Sequence, residues 1–308
     1  MNSVAQKKYS LWLKELRPQF CTASVMPILV GTAVAYSHTH KFNPTLFLLA
    51  VSSIALLQMA SNVINDYFDS VSKNDWLNNN PTPFSGGSRL IQKNLLAPKE
   101  VFIGSLIIFA AGATLGIIIV IMTRSLFVLS LGVIGLLGGL FYTAPPLKLG
   151  YRTAGEITIA FLFGILPVYG AYYIQTGTID FIPLLPAIIM AVMVFLIIFA
   201  NEFPDFEADK AVSKKTLVVT LGTRKAAIFY RITTRLFYLL SIYSITQPPL
   251  LPIQGMIFIL PTIILSAKCI KNADTEKLSQ IGYADLSKST ILLHSIGGIT
   301  LSAAILLS

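Results

Sequence analysis

The sequence predicts an all-α, polytopic integral membrane protein of nine transmembrane helices, folded as a single domain over residues 1–308. Three observations carry this. Hydrophobic residues make up 54% of the chain and charged residues only 12%, about half the charged share of a soluble protein. Mean hydropathy is +0.72, and several continuous apolar runs approach the roughly 20 residues that cross a bilayer as a helix. Lys and Arg also segregate by loop. In lipid only helices or closed barrels satisfy every backbone group, and these runs do not alternate as barrel strands do.

The expected spans cover about 20–36, 45–64, 101–122, 126–142, 154–174, 181–200, 226–246, 250–267 and 289–307. The seventh contains Arg231 and Arg235 and has the weakest apolar pattern. With these boundaries, nineteen of the 23 Lys and Arg residues fall in the amino terminus and the even-numbered loops. The odd-numbered loops hold only Lys41 and Arg124. The positive-inside rule then places the amino terminus and even loops in the cytoplasm, and the cell (inner or plasma) membrane is the expected location. The "AVA" at Ala33–Ala35 resembles a signal-peptide cleavage site, but an uncleaved first span is the expectation.

A formal charge of +9 could suggest nucleic acid, yet its distribution argues against that partner. Of the 14 Asp and Glu, only Asp180 falls in a predicted outer loop, so acids and bases share one side. Cys21 and Cys269 are far apart in sequence, and neither a disulfide nor a metal site is expected of them. His38 and His40 read as a solvated loop, and with His294 they form no metal pattern.

Two acidic stretches hold the chemistry. "NVINDYFD" ends the second span, and at 100° per residue Asn62, Asn65, Asp66 and Asp69 share an arc of about 100°. Asp75 follows in the loop, and whether it binds metal is left open. "NEFPDFEADKAVSKKTLVVTLG" follows the sixth span. There Asn201, Asp205 and Asp209 repeat at i, i+4 and i+8, with Glu202 at the edge of that face. Pro204 is expected to loosen the local helix. Solvated helix ends would be the plain explanation, but acids at helix C-termini oppose the macrodipole. Carboxylates crowded on one face need a cation between them. An oxygen-only donor set favours Mg²⁺ or Ca²⁺, and Mg²⁺ commonly shares its shell with substrate phosphates.

The bases suit a phosphate. "PTPFSGGSRLIQK" supplies Gly86, Gly87, Ser88, Arg89 and Lys93, where glycine lets backbone N–H groups approach an anion. "YTAPPLKLGYRTAGE" adds Tyr142, Lys148, Arg152 and Glu156. Together they point to a diphosphate bridged by Mg²⁺ to the acids. A hydrocarbon tail on that diphosphate would explain the membrane spans.

"NVINDYFD", "NEFPDFEADKAVSKKTLVVTLG" and "YTAPPLKLGYRTAGE" resemble the UbiA superfamily of intramembrane prenyltransferases, through nearly the whole chain. The resemblance implies a nine-helix bundle and Mg²⁺-dependent transfer of a polyprenyl group from its diphosphate to an aromatic acceptor. "NDYFDSVSKNDWLNNNPTPFSGGSR" is most similar to the 1,4-dihydroxy-2-naphthoate polyprenyltransferases of menaquinone biosynthesis. That branch often has Gly where Lys73, Thr153 and Ser213 stand here. Another acceptor, such as 4-hydroxybenzoate, is the alternative within the superfamily. On this reading Asn62, Asp66 and Asp69 bind one Mg²⁺, and Asp205 and Asp209 a second. Asn65, Asn201 and Glu202 orient them. Arg89, Lys93, Lys148 and Arg152 neutralise the diphosphate, and Tyr142 and Lys148 form the superfamily's Tyr/Lys loop. Phe141, Tyr142, Tyr169 and Tyr172 are candidates to face an allylic cation. A dihydroxynaphthoate would lose its carboxylate. From a different class, a secondary transporter could also hold membrane acids, but it would place them near the midplane.

Overall fold

Proline and polar caps set where the helices begin. The computed structural model describes residues 3–250 and 252–308, with side chains from residue 8 onward except that of residue 252. Residue 251, inside the expected eighth span, and residues 1 and 2 lie outside the described residues. The helices are α1 (Ser3–Leu16), α2 (Thr22–Thr39), α3 (Pro44–Val71) and a single turn, α4 (Asn74–Leu77). They continue with α5 (Pro98–Thr123), α6 (Leu126–Phe141), α7 (Gly155–Thr176) and α8 (Leu184–Ala211). Short α9 (Leu217–Leu221) leads into α10 (Thr223–Ser244) and α11 (Pro252–Asn272). Short α12 (Thr275–Leu278) and α13 (Asp285–Leu306) complete the chain.

Asn43 caps α3 by accepting from Leu46 N at 3.1 Å, with Pro44 just inside, where a missing N–H costs nothing. Ser125 caps α6 in the same way through Val128 N at 3.3 Å. Among the described residues, seven helices are long and apolar enough to cross a membrane. The remaining two of the expected nine are helices of another kind. α6 is apolar but only 16 residues long, and α10 has 22 residues but includes Arg231 and Arg235.

Two local expectations change, and one helix carries an irregular turn. The helix does not loosen at Pro204; α8 runs unbroken to Ala211. Proline cannot donate to the carbonyl of Ala200, and Ser287 Oγ from α13 donates to that carbonyl instead, at 3.4 Å. α7 widens into a π-helical turn at Phe161–Ile165, just before Pro167, which cannot donate back to Phe163. His38 lies in the last turn of α2, not a loop, with Nδ1 2.7 Å from the Tyr172 hydroxyl.

The loops gather at two ends. Gly282 N donates to Asn80 Oδ1 at 2.6 Å, and Lys215 N to Tyr151 O at 3.1 Å, so the even-numbered loops meet one another. At the other end Asn43 N donates to Gln175 Oε1 at 2.7 Å, and Ser125 Oγ to the Tyr173 hydroxyl at 3.0 Å. The basic loops therefore share one end of the bundle. α3 packs along α5, α2 along α7, and α11 along α13, around a core that includes Tyr172, Met190, Phe199 and Tyr230.

Candidate active site

α3 and α8 each continue past their apolar runs, and this extension carries the two acidic faces. They open on one cavity of about 190 Å³ at the basic end of the bundle. From α3, Asn62, Asn65 and Asp69 line it. From α8 come Asn201, Glu202, Asp205 and Asp209, and Tyr142 closes one side. Asp66 stands behind this lining, 2% exposed. Asp75 from α4 also lines the cavity.

The acids are tied in place from several elements. Asp66 accepts from Arg17 Nη2 and from Ser88 N, both at 2.7 Å. Asp69 accepts from Asn65 Nδ2 at 3.1 Å and from the Tyr151 hydroxyl at 2.9 Å. Asp205 accepts from Asn78 Nδ2 at 2.7 Å and from Gly86 N at 3.3 Å. Asp209 accepts from Asn74 Nδ2 at 2.9 Å. Lys214 Nζ lies 3.3 Å from Asp209 and 3.9 Å from Asp69, so one ammonium spans both acidic faces.

The cavity's bases differ from those expected. Among the described residues, Arg17 and Lys214 are the Lys and Arg side chains that line it. Lys93, Lys148 and Arg152 are exposed and outside the lining. Lys148 has a left-handed backbone (φ 44°) and lays its ammonium 5.3 Å from the Tyr151 ring centroid. Arg152 Nε is occupied by Leu147 O at 3.0 Å. Arg89 turns from the cavity at φ 65° and donates to the carbonyl of Asp75, so it braces α4. Of the candidate aromatics, Tyr142 lines the cavity and Phe141, Tyr169 and Tyr172 do not; Phe20, Phe84 and Phe163 do.

Sequence reasoning passed over Arg17, Lys214, Asn74, Asn78 and Tyr151. Lys214 had a usable signal, since it follows Asp209 by five residues in the second acidic stretch. Arg17 had none, because it reaches Asp66 across 49 positions.

Electrostatics follow from this crowding. Burial pushes the Asp75 carboxyl up to about 8, helped by the charges of Asp66, Asp69 and Asp205, with Arg17 pulling the other way. For Lys214 burial alone would lower the ammonium, but Asp209 and Asp69 outweigh it and hold it well above the ordinary lysine range. Burial also raises the Tyr151 phenol, so it stays neutral.

The donor set fits Mg²⁺. All candidate ligands are oxygens, and among the described residues Asp69, Asp75, Asp205 and Asp209, with Asp66 behind them, share the cavity with two cations, Arg17 and Lys214. Gly87, at φ 70°, lets two carboxylates close on one point of the backbone: an added Cβ would lie 2.6 Å from Asp75 Oδ2 and 3.2 Å from Asp66 Oδ1. Among the described residues, no three His, Cys, Asp or Glu side chains converge as a ready-made cage. Mg²⁺ commonly completes its shell with water and substrate phosphate.

A bundle of apolar helices with two acidic faces on one cavity defines a membrane-embedded enzyme class, and the comparisons identify it. A model of the UbiA prenyltransferase family matches residues 24–281, and the chain belongs to that family. It is 31% identical over 247 residues to the 1,4-dihydroxy-2-naphthoate octaprenyltransferase of Escherichia coli, covering 76% of this chain and 78% of that one. It is 30% identical over 245 residues to the 2-carboxy-1,4-naphthoquinone phytyltransferase of Synechocystis, covering 78% and 75%. The fold matches a UbiA homolog from Archaeoglobus fulgidus bound to GPP and Mg²⁺, with a TM-score of 0.71 at 18% identity, over 97% of this chain and 100% of that one. The chain is a multi-pass membrane prenyltransferase.

Proposed function

We propose that the chain transfers a polyprenyl group from its diphosphate to 1,4-dihydroxy-2-naphthoate, a menaquinone-forming step, at the cytoplasmic end of a cell-membrane bundle. One observation carries the chemistry: a single cavity has acids and two bases at one end and Ile159, Phe163, Val194, Ile197 and Ile198 at the other. An amphipathic substrate with a charged head and a hydrocarbon tail matches that polarity. A second, almost wholly apolar cavity of about 300 Å³ lies among α3, α5, α6 and α7, and it would hold the distal part of the tail. The acceptor reading is supported by the similarity to the 1,4-dihydroxy-2-naphthoate octaprenyltransferase of Escherichia coli.

Asn62, Asp66 and Asp69 would hold one Mg²⁺, and Asp205 and Asp209 a second, with Asn65, Asn201 and Glu202 beside them. Bound there, Mg²⁺ supplies Lewis-acid stabilisation of the departing diphosphate. Lys214 and Arg17 add fixed positive charge, and the Gly86–Gly87 turn brings backbone N–H groups to the same end. The prenyl carbon–oxygen bond breaks with its electron pair going to the diphosphate. A ring carbon of the acceptor supplies the pair for the new carbon–carbon bond, and the carboxylate on that carbon leaves as carbon dioxide. The apolar wall keeps water from the allylic cation, and Tyr142 and Phe163 offer it aromatic faces.

The test uses purified protein in detergent with labelled polyprenyl diphosphate and a panel of aromatic acids, with Mg²⁺ or with chelator. Prenylated, decarboxylated naphthoquinol formed only with Mg²⁺ is the expected product. Turnover of 4-hydroxybenzoate and none of dihydroxynaphthoate would overturn the acceptor assignment.

A further inference from the structure

α1 precedes the first expected span, and it delivers a carboxylate that solvent does not reach. Its apolar face, Leu11, Trp12 and Leu16, packs on Val63 of α3 and on Leu90, Ile91 and Leu96 of the following loop. Beside that face Glu15 is 0% exposed. Its Oε2 accepts from Ser88 Oγ, and its Oε1 is buried with no donor. A buried carboxylate with one bonded oxygen is a costly way to anchor a helix.

What Glu15 holds explains the placement. Ser88 N is the donor to Asp66 Oδ2 at 2.7 Å. Its neighbours Gly86, Gly87 and Arg89 all have positive φ, at 74°, 70° and 65°. The two glycines adopt positive φ without strain and leave the turn free to move, so a tie from outside it keeps the Ser88 N–H aimed at the carboxylate. Ser88 Oγ, held by Glu15, is that tie, and it also accepts from Leu90 N at 3.2 Å. Arg17, two residues on, fixes the other oxygen of Asp66 at 2.7 Å. The segment from Glu15 to Arg17 thus clamps Asp66 from both sides, once directly and once through Ser88.

We propose that Glu15 is a positioning residue for the first acidic face, acting through the Ser88 hydroxyl to orient the Asp66 carboxylate for metal. The proposal rests on the reading of Asp66 as a metal ligand. Groups that orient a ligand from outside the metal's shell typically alter affinity or activity about 10- to 100-fold when removed.

The test is direct metal binding, read by electron paramagnetic resonance of Mn²⁺ titrated into detergent-purified protein with inorganic pyrophosphate. Glu15→Ala and Ser88→Ala should each weaken Mn²⁺ binding about tenfold, the lower end of that range. The double variant should lose no more than either alone, because one chain of contacts is broken only once. Glu15→Gln keeps an acceptor toward Ser88 and should retain most of the affinity. In turnover assays the apparent Mg²⁺ requirement should rise while the acceptor KM stays put, a split that general loosening of the fold would not give. Unchanged Mn²⁺ affinity in folded Glu15→Ala would overturn the proposal. If Glu15→Ala does not fold, unchanged affinity in Ser88→Ala overturns it equally, as would full additivity in the double variant. If wild-type protein binds no Mn²⁺ with pyrophosphate, the metal reading beneath the proposal falls first, and the proposal with it.

Discussion

Lys214→Met removes the one ammonium that spans both acidic faces. Its Nζ lies 3.3 Å from Asp209 and 3.9 Å from Asp69, with 14% of the side chain exposed and those carboxylates at 1% and 7%. Breaking a buried pair by deleting one partner typically costs about 3–5 kcal/mol, chiefly because a buried charge is left alone. Asn74, Asn65 and Tyr151 still donate to these acids, so the lower end of that range applies to folding. For turnover, the lost donor is one that would face the departing diphosphate, a loss of about 10²- to 10³-fold in kcat. Steady-state kinetics with each substrate varied separately should show that loss with a raised KM for prenyl diphosphate and an unchanged KM for the acceptor. Lys214→Arg should recover part of it, since charge is kept and geometry is not. Because Asp209 and Asp69 hold the ammonium well above its ordinary range, wild-type activity should show no falling limb from Lys214 between about pH 7 and 9. A folded Lys214→Met enzyme within about threefold of wild-type turnover would refute the placement of the diphosphate beside Lys214.

Asp66→Asn and Asp209→Asn should each lower turnover about 10²-fold or more while leaving thermal unfolding cooperative; near-normal rates at saturating Mg²⁺ would contradict a two-face metal site. Lys148→Met should change kcat/KM by less than about threefold, because an exposed cation–π contact is worth only about 0.5–1 kcal/mol. Asp75 binds its proton more tightly folded than unfolded, so its contribution to stability is fullest below 3.8 and is lost as pH rises through about 8. In metal-free protein, Asp75→Asn should therefore raise the melting temperature more at pH 9 than at pH 5, and an equal gain at both would be contrary. Cysteines placed at Ser213 and Lys41 in a cysteine-free background should label from opposite faces of sealed vesicles, and labelling from one face would break the topology.

What the sequence disclosed is what periodicity encodes. Asp66 and Asp209 were legible because helical spacing puts carboxylates on one face whatever the rest of the chain does. The meeting of the two faces was legible only as chemistry, as crowded acids in need of a cation. Arg17 escaped because long-range contact, not spacing, selects it from a score of similar bases, whereas Lys214 stands five residues after Asp209, a local signal that was passed over. Lys148 and Arg152 looked equivalent in sequence, and the structure holds both at the surface, on the Tyr151 ring and on Leu147 O. The departures at Lys73 and Ser213 have a backbone meaning. Both residues sit at positive φ, 66° and 58°, where glycine would be unstrained. Nothing in the structure explains Thr153 in the same way.

The claim at the centre of this account is that the diphosphate lies between the two acidic faces, against Lys214 and Arg17. The most direct measurement is a structure of the protein with Mg²⁺ and a non-reacting polyprenyl thiodiphosphate. The account predicts phosphate oxygens within hydrogen-bond reach of Lys214, metal between them and the carboxylates of Asp66, Asp69, Asp205 and Asp209, and the tail leading toward Phe163. A diphosphate seated instead on Arg89, Lys148 and Arg152, with the acidic cavity free of metal, would contradict it.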